Sequence, residues 1–269
     1  MKKFTAIICF LIVGAAFGDP ELLLHYQFDG MTALVPDLSE NRLDAYYQTQ
    51  GIGEMVPGLA AGVSGRADDY AYNGSSVDAM GDASRGLMAY RVLYSGNGLD
   101  SDYESFTICG WFKTEGMTPF SANARLLTMV GTENVSLFDA LGNGLRLQIG
   151  KKFAESGGDA YTATGKWVFF AVTYDGTVDD DDNVKFWEGT KDALTLVRST
   201  KIDKDGAWKG LGPAGIISIG NRHGSIQGKH MNRPFDGYMD DFRIYVSEKK
   251  GEGALSEAEI DQIRQSIFD

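Results

Sequence analysis

Short runs of Val, Ile, Phe, Tyr, Trp and Thr alternate with polar and glycine-rich breaks along most of this 269-residue chain. Alternation with a period of two, bounded by turn residues, is the pattern of half-buried β-strands. It predicts strands over 22–28, 106–113, 125–130, 145–149, 167–174, 184–187, 216–220 and 238–246. Asp175-Gly176, Gly142-Asn143-Gly144 and Gly157-Gly158 supply the positive-φ chemistry of turns between several of them. Helical periodicity is rare until the end, where Ser256 stands three residues before Glu259 as a capping box. Leu255 and Ile260 sit in the positions of a hydrophobic staple. Ile260, Ile263 and Ile267 then form one apolar stripe. The pattern is that of an all-β protein, a sandwich or a barrel, with a short C-terminal helix. No Pro/Ser-rich linker or internal repeat divides it.

The first residues follow a different rule. Lys2 and Lys3 precede an apolar run from Phe4 to Phe17, and Ala16-Phe17-Gly18 offers small residues for cleavage before Asp19. These are the three regions of a secretory signal peptide. The run is shorter than the ~20 apolar residues a bilayer span needs. The expected mature protein is one domain over 19–269, secreted to an extracellular or periplasmic space. Losing two lysines leaves 23 basic against 37 acidic residues, which takes the formal net charge from −12 to −14. Such a balance disfavours nucleic acid, which is bound by neutralising phosphates, and fits a binder of divalent cations. Cys109 is the one cysteine left, so no disulfide forms within the chain.

The segment "FDGYMDDFRIYVSE" (235–248) breaks its own alternation with Asp240 and Asp241. Neighbours on a strand point to opposite faces, so one carboxylate must point inward. Strict parity groups Asp240 with Phe242 and Ile244 as core-facing, and Asp241 with Arg243 as an outward salt-bridge pair. An inward carboxylate must be neutral, hydrogen-bonded, paired or bound to a metal. Gly237 in the same strand suggests a bulge or a close backbone approach.

Taken in order, "LLLHYQFDG", "VPDLSENRLDA", "FTICGWFK", "GKWVFFAVTYDG", "VKFWEG", "ISIGN", "FDGYMDDFRIY" and "LSEAEI" resemble the LamG-like jellyroll domains of the concanavalin A-like lectin/glucanase superfamily. The resemblance implies a jellyroll sandwich of two antiparallel sheets, with Trp111 and Trp167 as anchors between the sheets. It also implies a structural calcium where the first and last strands meet. Asp240 would be its aspartate, with Asp29 and carbonyl oxygens near Gly30 as further hard ligands. The alternative for Asp240 is acceptance of backbone N–H groups. Departures from the family pattern include the insertion at 177–183 and Glu188 where Asn is usual.

Other acidic stretches have plainer explanations. Asp179–Asp182 lacks EF-hand spacing and reads as a solvated hairpin tip; Asp37 and Asn41 suit an Asx-type turn. Catalytic relatives carry Glu-x-Asp-x-Glu or Glu-x-Asp-x-x-Glu on one strand; neither motif is present. Nor is Gly-x-Ser-x-Gly, a phosphate loop or His-Glu-x-x-His. His25 reads as a structural histidine and Cys109 as a small buried residue. The expectation is a non-catalytic recognition module that binds carbohydrate in the manner of a lectin. The alternatives are a module for protein adhesion at the cell surface and a hydrolase or lyase acting on polysaccharides. Candidate ligand contacts are Tyr72, Trp208, Asn221, Arg222, His223 and Arg233, with Tyr70, Tyr90 and Tyr94 as further loop aromatics.

Overall fold

Alternating apolar residues need a second layer to cover them, and two sheets do this for one another. The structure is a computed structural model that describes residues 20–30, 34–49, 54–56, 62–73, 87–90, 101–114, 123–140, 144–178, 182–204, 207–210, 215–220, 235, 237–249 and 251–269. The expected signal peptide at 1–18 lies outside these residues, as does most of the acidic stretch 179–182.

In chain order, the strands are β1 (Glu21–Tyr26), β2 (Leu34–Val35), β3 (Ala45–Thr49), β4 (Glu54–Val56), β5 (Ala71–Asn73) and β6 (Leu87–Tyr90). There follow β7 (Asp102–Tyr103), β8 (Ser105–Lys113), β9 (Arg125–Val130), β10 (Val135–Asp139), β11 (Leu145–Ile149) and β12 (Lys152–Glu155). The last are β13 (Val168–Asp175), β14 (Val184–Gly189), β15 (Leu194–Thr200), β16 (Trp208–Lys209), β17 (Ile216–Ile219) and β18 (Tyr238–Ser247), before helix α1 (Glu257–Ser266). The larger sheet runs β15-β14-β13-β8-β18-β5-β4, with β1 also paired to β18; the smaller runs β12-β11-β10-β9-β17. The pairings are antiparallel, and β6 of a three-stranded sheet lies beside β17.

Between the two sheets lies one apolar core. Phe106, Ile108, Phe112, Phe170, Phe242 and Ile244 of the larger sheet meet Leu127, Leu137, Leu147 and Ile217 of the smaller. A second cluster sits on the other face of the larger sheet. There Cys109, Trp111, Phe169, Ala171 and Trp187 are covered by Leu255, Ile260, Ile263 and Ile267. The helix begins at the expected capping box: Ser256 Oγ accepts from the Glu259 N–H, and the Glu259 carboxylate accepts from the Ser256 N–H.

This second cluster corrects the placement of the tryptophans. Trp111 is 1% exposed but lies beneath the helix, 5.3 Å from the Phe169 ring and 5.6 Å from that of Phe268. Trp167 precedes β13, is half-buried, and packs at the margin of that cluster beside Tyr238 and Lys113. Neither lies between the sheets. Strand alternation fixes this: Phe112 takes the inner face, so Trp111 must take the outer one.

Candidate functional site

A bulge decides what the two aspartates do. Asp240 pairs with Trp111 and Arg243 with Cys109, so Asp241 and Phe242 together stand opposite Gly110. The extra residue is accommodated by Asp241 at φ +46°, in the left-handed region that Asp tolerates better than most side chains. A Cβ on Gly110 would meet Phe242 Cα at 3.1 Å and the Asp241 carbonyl at 3.2 Å. Glycine therefore lets the bulge approach β8. Gly237 has a similar role nearby, where a Cβ would lie 2.3 Å from the Lys113 carbonyl oxygen.

The bulge resets the parity of β18. Asp240 does not join Phe242 and Ile244 in the core between the sheets; it shares the outer face with its partner Trp111. Asp241 is not outward and solvated. Both carboxylates are 0% exposed. Asp241 Oδ1 accepts from Arg243 Nε at 3.0 Å and lies 2.7 Å from His25 Nε2. Arg243 also reaches Ser266 of the helix at 3.1 Å. Burial works against the arginine's charge, but Asp241 and Tyr245 outweigh it and hold the pKa above its ordinary value. The Asp241–Arg243 pairing and a structural role for His25 are thus as expected. Burial pushes the Cys109 thiol up to about 12, so no thiolate nucleophile is available there.

Asp240 makes two hydrogen bonds to backbone. Oδ2 accepts from the Val63 N–H at 2.8 Å and Oδ1 from the Asp241 N–H at 2.7 Å. The segment 62–70 thereby docks over the seam and brings a third carboxylate, Asp69, which the sequence did not single out. Asp69 is 4% exposed and accepts from Ser64 N–H and Oγ at 2.7 and 2.6 Å. Gly62 faces it so closely that a Cβ would fall 2.2 Å from the carboxyl carbon. Asp29 is exposed along one side and accepts from the Tyr70 N–H at 3.0 Å. Burial, and then repulsion from Asp69 and Asp241, raise the Asp240 pKa well above its ordinary value. Partial burial raises that of Asp29 in spite of the Tyr70 hydrogen bond, and Asp69 and Asp68 add to the effect.

Both Asp240 oxygens accept backbone N–H groups, which is the alternative role expected for this residue, and the described residues form no preformed side-chain cage for a hard divalent cation. Among the described residues, no three His, Cys, Asp or Glu side chains converge as ligands. Yet Asp69 repels both Asp29 and Asp240, and Asp241 Oδ2 is buried with no partner among the described residues. Calcium held there would draw on carboxylate and backbone oxygens together. Gly30, at φ +108°, has open space around it. Asp37 is a turn residue: it accepts from the N–H groups of His25, Ser39 and Leu43 at 2.7–2.9 Å.

The proposed ligand contacts fare differently. Tyr72 is 1% exposed, packs against Phe28 at 6.1 Å and sits over Gly220. Trp208 is 0% exposed, with rings of Tyr103 and Phe106 at 5.4 and 6.0 Å and its Nε1 donating to the Glu133 carbonyl. The loop-like surroundings of both hide short strands that cap the core, so neither ring is free to stack on a ligand. Asn221, Arg222, His223 and Arg233 lie outside the described residues.

No protein-family model matches the chain, and no curated protein matches it in sequence. Solved structures do share its architecture. Domain 4 of AbnA, a GH43 extracellular arabinanase from Geobacillus stearothermophilus, solved with arabinotriose, is similar over 92% of this chain and 100% of that one. Its TM-score is 0.56 at 16% identity. The botulinum neurotoxin serotype G binding domain matches over 92% of this chain and 50% of its own, with TM-score 0.53 and 13% identity. A GH54 α-L-arabinofuranosidase matches over 88% and 50%, with TM-score 0.53 and 10% identity. At these identities the likeness establishes the β-sandwich fold, which hosts many functions.

Proposed function

We propose that this protein is a secreted, non-catalytic carbohydrate-binding module of the LamG-like jellyroll kind, with calcium bound structurally at the seam of β1, β18 and residues 62–70. The observation that carries the reading is the likeness of fold to the arabinanase domain solved with arabinotriose, all of which matches 92% of this chain. A non-catalytic role is supported by the chemistry of the buried groups. The carboxylates of the seam are engaged with backbone N–H groups, His25 and Arg243, and Cys109 is held as a thiol. Calcium would supply positive charge to the crowded carboxylates, and its mass-action stabilisation of the folded state would tie β1 to β18.

The test is a glycan array probed with residues 19–269, with calcium and with chelator. The reading expects binding to a defined set of glycans, weakened when chelation loosens the seam. An array without signal, alongside specific capture of an extracellular protein, would favour the adhesion alternative. New reducing ends from a polysaccharide would overturn the non-catalytic assignment.

A further inference from the structure

The outer face of the smaller sheet carries an ordered aromatic–guanidinium ladder. Direct cross-strand partners share a face, and here Arg125, Phe138, Arg146 and Glu155 form one row across β9, β10, β11 and β12. Gln148 and Phe153 form the next. The guanidinium of Arg125 lies 3.5 Å from the Phe138 ring centre. That of Arg146 lies 5.5 Å from Phe138 and 4.3 Å from Phe153. The ladder runs from a buried end, with Arg125 9% and Phe138 2% exposed, to an open one, where Phe153 on edge strand β12 is 52% exposed.

A single exposed apolar side chain is ordinary. Phe153 differs because the Arg146 guanidinium lies against its ring, and Gln148 and Glu155 share its face of the sheet. The Glu155 Oε1 accepts from both Nε and Nη2 of Arg146, and Gln148 Nε2 donates to the Gly150 carbonyl at 2.9 Å. Among the described residues this leaves Arg146 Nη1 as a donor, and Glu155 Oε2 and Gln148 Oε1 as acceptors, without partners. Arg146 and Glu155 remain 26% and 22% exposed and Gln148 is half-buried, so a ligand can approach this end of the sheet.

We propose that Phe153, Arg146, Glu155 and Gln148 form a saccharide subsite, and that its ligand is a neutral glycan presenting a vicinal diol beside an apolar C–H face. The inference rests on the carbohydrate-binding reading above and adds the place and the ligand class. An aromatic ring held on a rigid strand offers apolar contact with little ordering cost. Each sugar hydroxyl both donates and accepts, matching one donor set between two acceptors. Glu155 compensates the charge of Arg146 at bonding distance, and Arg125 is buried at the far end of the row, so the open end beside Phe153 presents no uncompensated guanidinium to a uronate, sialate or sulfate. The acidic surface of the chain disfavours those ligands further.

The test compares the wild type, Phe153→Ala, Phe153→Trp and the control Leu196→Ala, which removes an exposed leucine from β15 of the other sheet. Each is probed on an array of neutral oligosaccharides that includes arabinotriose, together with uronate- and sialate-bearing counterparts. The wild type should bind neutral members. Phe153→Ala should weaken them roughly tenfold or more, as loss of ~1.4 kcal/mol would, while Phe153→Trp and Leu196→Ala retain binding. Undiminished binding by Phe153→Ala would place the site elsewhere and leave the carbohydrate reading intact. Binding confined to acidic glycans would overturn the ligand class. Absence of any glycan binding by the wild type would remove both.

Discussion

Asp241→Ala tests the seam most sharply, because strict strand parity makes this residue a dispensable surface group and the bulge makes it a buried one. Its carboxylate is 0% exposed and receives Arg243 at 2.9–3.0 Å and His25 at 2.7 Å. Removing one partner of a buried ion pair costs ~3–5 kcal/mol, since the other charge is left without compensation. Two features lower that figure here. Arg243 keeps Ser266 and is 12% exposed. Loss of Asp241 also relieves repulsion on Asp240. The expected loss is ~3 kcal/mol, a fall in Tm of roughly 6–12 °C for a chain of this size. Asp241→Asn tolerates the left-handed backbone and keeps an acceptor, so it should cost ~1–2 kcal/mol. Urea unfolding followed by tryptophan fluorescence reads both, and the slope with denaturant should stay constant if the folded and unfolded surfaces are unchanged. An Asp241→Ala variant within ~0.5 kcal/mol of the wild type would refute the buried-pair account.

Further outcomes follow from the same contacts. Trp111→Ala should cost ~3–5 kcal/mol as a buried aromatic, and Trp167→Ala less than half of that; equal urea midpoints for the two would contradict their placement. Gly110→Ala should lose ~1–3 kcal/mol by forcing the bulge backbone away, measurable in the same unfolding experiment. The raised pKa of Asp240 contributes stability that is full below its unfolded value, about pH 4, and is lost as pH rises through the folded value. With chelator present, urea midpoints should therefore decline more with pH for the wild type than for Asp240→Asn, and excess calcium should flatten the difference. Parallel pH profiles with chelator would sink that assignment.

The sequence made the regular parts of the fold legible and left the irregular parts obscure. Strands 125–130 and 145–149 and the cap of α1 appear with the expected bounds, because periodicity and capping chemistry act locally. Strands β10, β12 and β15 lie outside the predicted set, as do the short strands β2 to β7 and β16. "VSLFD" carries Phe138 on its outer face, and the edge strands "KFAE" and "LTLVRST" face solvent too much to show an apolar rhythm. At the seam, residue types were readable but their directions were not. One extra residue opposite Gly110 reverses the face of Asp240 relative to Phe242; Gly237 signals a bulge in this strand but not its position, and Gly110 in "FTICGWFK" carries no such mark by itself. Asp69 reaches the seam through a long-range docking of 62–70 that no local pattern encodes. Tyr72 and Trp208 went astray because aromatic residues in polar, glycine-rich surroundings resemble binding loops whether their rings point out or in.

The central claim is recognition of carbohydrate without cleavage, and a protein-observed NMR titration of residues 19–269 with arabinotriose and other neutral oligosaccharides tests it most directly. The account predicts saturable shifts centred on Arg146, Gln148, Phe153 and Glu155, with the sugar signals unchanged over time. Spectra that remain unperturbed by every saccharide, or sugar signals that report hydrolysis, would contradict it.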